Sequence, residues 1–124
     1  TDGGFATGLV RYIATHQLPM TRGGCTYIMT NKPGGTLYVG VSSDLIARAH
    51  QHRTKHDPTS FTARYNLDKL VYYEVWPTID EAIAREKQIK AGSRTKKVKL
   101  IEGMNPVWRD LYDDLLREAE AGGE

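Results

Sequence analysis

The chain has a single cysteine, Cys25, so neither an internal disulfide nor a thiolate metal cluster can form. A crosslinked secreted scaffold is excluded, and a reducing, cytoplasmic setting is expected. No run of roughly 18 apolar residues occurs, which argues against a membrane span. Residues 1–24 also lack a long apolar core followed by a small-residue cleavage site, so no secretory signal is read there. They hold Gly3, Gly4, Gly8, Gly23 and Gly24 with Pro19, and are expected to form a loosely ordered lead. Internal repeats and low-complexity segments are absent. Net charge is small, at +2.

What is present is ordinary in bulk. The 124 residues are 40% hydrophobic and 26% charged, as expected for one globular domain. The charge is unevenly spread. Residues 81–99 carry seven Lys/Arg against Glu81 and Glu86, a balance of +5. Residues 110–124 carry six Asp/Glu against Arg117, a balance of −5. The basic block could meet phosphates or form a solvated helix face. The expected organisation is a domain over residues 25–117 followed by an acidic flexible tail at 118–124.

Local signals place the elements. Cys25 to Thr30 reads as a strand, residues 31–35 as a turn, and Thr36 to Val41 as a second strand, which makes a hairpin. A five-residue loop would turn Tyr27 and Tyr38 to opposite faces. A loop of four or six residues, or a bulge, would pair them on one face. Ser42-Ser43-Asp44 caps a helix expected to reach His56, and a loop runs through Phe61 and Tyr65. Leu70 to Trp76 is apolar on both faces and reads as a central strand. Thr78 with Glu81 makes a capping box, and Gly92 ends the helix that follows. A short basic helix spans Thr95 to about Glu102. Asn105-Pro106 is expected to cap a last helix with Val107, Leu111 and Leu115 inward. The fold class is α+β: a three-stranded antiparallel-type sheet flanked by helices, in the order ββαβααα.

The residue that stands out is Glu86. In the helix from Ile79 to Lys90, the apolar residues Ile79, Ala82, Ile83 and Ile89 recur at three- and four-residue spacing, and Glu86 falls on the same face. A carboxylate is costly to bury alone, so it requires a basic partner, a hydrogen-bond network or a metal ion. Arg48 and His52 project from one side of the first helix. An arginine fork suits a phosphate, though a surface salt bridge would look the same. His52 and His56 have an i,i+4 spacing, but no third ligand is evident for zinc. Strand tyrosines such as Tyr27 and Tyr38 are commonly core fillers. Gly40 ends the second strand and lets the backbone pass close to a neighbour.

Taken together, Thr26-Tyr27 and Tyr38-Val39-Gly40 resemble the two half-motifs of the GIY-YIG nuclease superfamily. Arg48, His52 and Glu86 fit in order and spacing. The runs Arg85 to Lys90, Lys96-Lys97 and Asn105-Pro106-Val107-Trp108 are similar to its small stand-alone bacterial branch, related to the nuclease domain of the excision-repair incision subunit. The likeness covers about residues 25–112. It implies a catalytic set of Tyr27, Tyr38, Arg48, His52 and Glu86. Glu86 would hold Mg2+ (or Mn2+), Arg48 would grip the scissile phosphate, and one tyrosine would help activate water. Gly40 and Asn105 would support the site. Arg85, Lys87, Lys90, Arg94, Lys96 and Lys97 would contact DNA, duplex or branched. Val41 departs from the pattern, since the repair nuclease has a lysine there. The expected activity is a one-metal endonuclease in DNA repair. The competing expectations are a nucleic-acid-binding module with little or no catalysis, and an interaction protein in which Glu86 and Arg48 form a buried ion pair.

Overall fold

A computed structural model describes residues 23–122, so the expected N-terminal lead lies outside the described residues except for its last two positions. Three strands, β1 (Gly24–Thr30), β2 (Leu37–Ser42) and β3 (Lys69–Trp76), form an antiparallel sheet in the order β2-β1-β3. Helices α1 (Leu45–Arg53), α3 (Ile79–Ala91), α4 (Arg94–Met104) and α5 (Tyr112–Gly122) flank it. A one-turn helix, α2 (Phe61–Arg64), interrupts the loop before β3. The class is α+β and the order of the long elements is ββαβααα, as the sequence pattern predicts.

Side chains alternate across β1, and each face builds its own core. Cys25, Tyr27 and Met29 pack with Tyr73, Val75, Leu45 and Leu115, toward α1 and α5. Ile28 packs with Val39, Val71, Ile89 and Ile101, toward α3 and α4. Every β1 residue is therefore buried. The single thiol, Cys25, belongs to the first core. Burial pushes it up to about 12, with the Asp44 carboxylate adding to the effect, so it stays protonated and unreactive. Helix starts are set by side-chain caps: Asp44, Ser60, Thr78 and Ser93 each accept a backbone N–H of the first turn.

Two expectations about the sheet and the last helix are corrected. The central strand is β1, not β3. β3 reads as doubly buried because helices cover both faces, while the backbone groups that β1 leaves are taken by residues 105–111. Leu111 N–H donates to the Leu70 carbonyl at 2.7 Å, and the Asp110 carboxylate accepts from Leu70 N–H at 3.1 Å. A closed strand edge is also a defence against pairing with other chains. The last helix starts at Tyr112 rather than at Pro106. Asn105 instead ends α4. Trp108 turns the chain back with φ +59°, a left-handed conformation that costs a bulky side chain energy. Val107 is thereby 72% exposed rather than buried, while Leu111 and Leu115 keep their core places. At its other end α5 runs on to Gly122, into the residues whose composition suggests a tail. α1 stops at Arg53, short of His56, with Thr54 as its cap and Lys55 at φ +54°. Among the described residues, no helix is long and apolar enough to cross a membrane.

Candidate active site

The hairpin register creates the centre of the site. Thr30 pairs with Leu37, so the loop is residues 31–36, and Tyr27 lies opposite Gly40 while Tyr38 lies opposite Met29. Tyr27 and Tyr38 thus share a face diagonally, with ring centroids 6.3 Å apart. A β-carbon at Gly40 would come within 2.5 Å of the Tyr27 ring and hydroxyl. Glycine is required there because the phenol end of Tyr27 occupies the space a β-carbon on β2 would need. That close approach is the physical content of the tyrosine-x-glycine pattern in the sequence.

Tyr27 is fully buried, and its hydroxyl meets His52 Nε2 at 2.9 Å. The other ring nitrogen, Nδ1, meets Thr62 Oγ1 at 2.9 Å, and Thr62 Oγ1 lies 3.2 Å from Ser60 Oγ. Ser60 in turn caps α2 by accepting Ala63 N–H at 3.2 Å. His52 also packs against Tyr38, with ring centroids 5.6 Å apart. Burial pushes the His52 imidazole down to about 4, and the Arg48 charge pushes the same way, so the ring is neutral at pH 7. Burial raises Tyr27 well above the usual phenol range. Tyr38 and Glu86 add to that rise, whereas the charge and hydrogen bonding of Arg48 oppose it. One phenol therefore feels Tyr38, Arg48, His52 and Glu86 together.

Arg48 is exposed at the mouth of this cluster and Glu86 half-buried, with its side chain 15% accessible. Ala82 and Ile89 on the same face of α3 are buried. The Glu86 carboxylate accepts from Lys90 Nζ at 3.0 Å, and that lysine is 52% exposed. A pair at such a rim is worth little and exchanges readily. No cluster of three His, Cys, Asp or Glu occurs among the described residues, so a cation here would rest on one carboxylate. That donor set fits Mg2+, which keeps several waters and commonly binds one or two carboxylates plus phosphate oxygens. It does not fit zinc.

The other residues singled out in the sequence divide. Asn105 makes its bonds to the Val71 carbonyl (3.2 Å), the Arg109 carbonyl (2.6 Å) and Arg109 N–H (3.0 Å), closing the β3 edge. Arg94 donates to the Gly34 and Gly35 carbonyls, and Lys97 to those of Lys90 and Gly92. Arg85 binds both oxygens of Glu74, at 2.9 and 3.1 Å. Among the described residues, Lys87 and Lys96 have no ion-pair partner.

Two residues escaped the sequence reading. Glu74 is fully buried, where it also accepts from the Tyr72 hydroxyl and from Trp76 Nε1. Its signal was available: a carboxylate inside the apolar run Leu70 to Trp76, with an arginine on the next helix. Thr62 is 4% exposed and carried no such signal, because the preceding Asp57-Pro-Thr-Ser60 reads only as a helix end.

The comparisons with known proteins bear on the same stretch. The family described as GIY-YIG catalytic domain matches residues 23–99. Proteins named UPF0213 protein from Staphylococcus aureus strains Mu3 and Mu50 are each 37% identical over 68 residues, which is 55% of this chain and 82% of theirs. No solved structure matches the chain.

Proposed function

Since the chain belongs to the GIY-YIG catalytic-domain family, a family of nucleases, we propose that it is a metal-dependent endonuclease cutting phosphodiester bonds in DNA by a one-metal mechanism. The observation that carries this reading is the gathering of His52, Tyr38, Arg48 and Glu86 around the Tyr27 hydroxyl. Glu86 would hold the cation, Mg2+ or Mn2+, which when bound supplies positive charge to the phosphoryl and leaving oxygens.

The chain's own groups divide the remaining work. Arg48, at the mouth, binds non-bridging phosphate oxygens and stabilises the charge that builds on them. Tyr27 is a phenol at neutral pH, because burial raises its pKa. It therefore takes a proton from the attacking water only as it gives up its own. The acceptor is His52 Nε2, 2.9 Å away and neutral. The water O–H bond breaks and the imidazole ends protonated; hydroxide bonds to phosphorus as the bond from phosphorus to the leaving sugar oxygen breaks, and that oxygen takes a proton from solvent. Tyr38 walls the site and holds the imidazole edge-on. DNA, duplex or branched, is the proposed substrate, and repair in the cytoplasm the proposed setting.

The test is cleavage of plasmid and branched DNA with magnesium by the wild type, Glu86→Ala and Arg48→Ala. Cleavage by the wild type and a loss of about 10²-fold or more in each variant is expected. No cleavage by the wild type on any substrate removes the enzymatic claim. The second reading, a binding module on this fold, draws on the Lys90–Glu86 pair, which already neutralises the carboxylate. It requires DNA binding that survives Glu86→Ala and ignores metal.

A further inference from the structure

We propose that Thr62 is a positioning residue that fixes the tautomer of His52, with Nδ1 protonated, so that the Nε2 lone pair faces Tyr27. The kinetic part of this proposal rests on the nuclease reading; the structural part does not. The donors and acceptors around Tyr27 admit one arrangement. Tyr27 is enclosed, and its hydroxyl hydrogen-bonds with His52 Nε2 at 2.9 Å and with the Arg48 guanidinium, whereas Tyr38 and Glu86 act on it through charge alone. A guanidinium donates and never accepts. The Tyr27 proton therefore goes to His52 Nε2. In a neutral ring the hydrogen must then sit on Nδ1, where it is donated to Thr62 Oγ1 at 2.9 Å. The Thr62 hydroxyl passes its own hydrogen on to Ser60 Oγ at 3.2 Å. Ser60 Oγ has lone pairs for both that hydrogen and the Ala63 N–H.

The donors thus run one way, from Tyr27 through His52 and Thr62 to Ser60. The neutral ring at pH 7 agrees with this direction. Helix α2 has a role in this arrangement: its Ser60 cap sets where Thr62 stands, so a one-turn helix remote in sequence from both tyrosines supplies the acceptor that the Nδ1 hydrogen needs. The reverse polarity would leave the buried Tyr27 hydroxyl hydrogen without an acceptor among these groups, at the cost that any unsatisfied buried donor carries.

The experiment uses the full chain labelled with nitrogen-15, with histidine ring-nitrogen correlation spectra recorded at pH 7. The His52 signals are those lost in His52→Gln. The wild type is expected to show the Nδ1–H tautomer, Thr62→Val to shift His52 toward Nε2–H, and Thr62→Ser to restore Nδ1–H. In cleavage assays Thr62→Val lowers kcat by roughly 10- to 100-fold, within what one proton-transfer group contributes. KM stays nearly unchanged and Thr62→Ser recovers the rate. A wild-type His52 in the Nε2–H form overturns the proposal, and this result needs no variant to fold. So does a folded Thr62→Val whose His52 keeps Nδ1–H. Absence of cleavage in the wild type would fell the nuclease reading while leaving the tautomer result to decide this one.

Discussion

Burial sets the chemistry of single side chains here. His52 is the clearest case, because its folded pKa of about 4 lies below the free value of 6.5. Between those values the unfolded chain binds a proton that the folded chain refuses. Folding stability therefore rises with pH through this window and is lost as pH falls from 6.5 toward about 4. A lower urea midpoint is expected for the wild type at pH 5 than at pH 7.5, with a smaller difference in His52→Gln. Equal differences in the two proteins would show that the histidine is not the group responsible. At this scale the sequence was legible where a residue type is restrictive. Gly40 had to admit something close, and the structure shows that it admits the Tyr27 ring. Glu86 on an isoleucine face had to have a partner, and in the structure Lys90 is at 3.0 Å. Thr62 was not legible, because a threonine in a loop satisfies any pattern.

Elements behave differently, since what matters is how one is held against another. Helix α3 carries Glu86, and its rotation is fixed in the turn that leads into that residue. The Thr26 hydroxyl donates to the Ala82 carbonyl at 2.8 Å, and Arg85 grips Glu74 of β3. Arg85 and Glu86 are neighbours, so the grip that pulls one toward β3 directs the other to the rim. The two halves of the grip are unequal. Arg85 is 23% exposed and can turn to water, whereas Glu74 is fully enclosed. Arg85→Ala strands a buried charge and should cost about 3 kcal/mol or more, while Glu74→Gln should cost clearly less. Urea unfolding of both variants checks the order, and a reversed order would contradict the clamp. Helix boundaries were read well where capping side chains announce them, as at Asp44 and Thr78. They were misread at Asn105, whose side chain serves the β3 edge through long-range bonds that no local pattern encodes.

For the molecule as a whole, the issue is how much of the basic block is left for a polyanion. Arg85, Arg94 and Lys97 are engaged internally. Lys87, Lys96 and Lys99 of the block remain exposed, as does Arg48 on α1. Each neutralised phosphate contributes roughly −0.9 to the slope of log affinity against log salt. A slope of about −3 to −4 is expected for DNA binding, from roughly four contacts. A slope near −6 would mean that the full seven-residue block engages and that the internal bonds open on binding. Fluorescence anisotropy with labelled DNA between low and physiological salt measures it.

The sequence by itself determined the fold class, the order of the long elements and the residue types available to the candidate site. Those depend on local propensity, periodicity and spacing, which act over a few residues at a time. Tertiary structure alone decided that β1 lies in the middle of the sheet, that Tyr27 faces Gly40, and that Thr62 reaches His52. Each of these joins segments ten or more residues apart, and such partners are chosen by which surfaces and backbone groups still need covering once the nearer ones are satisfied.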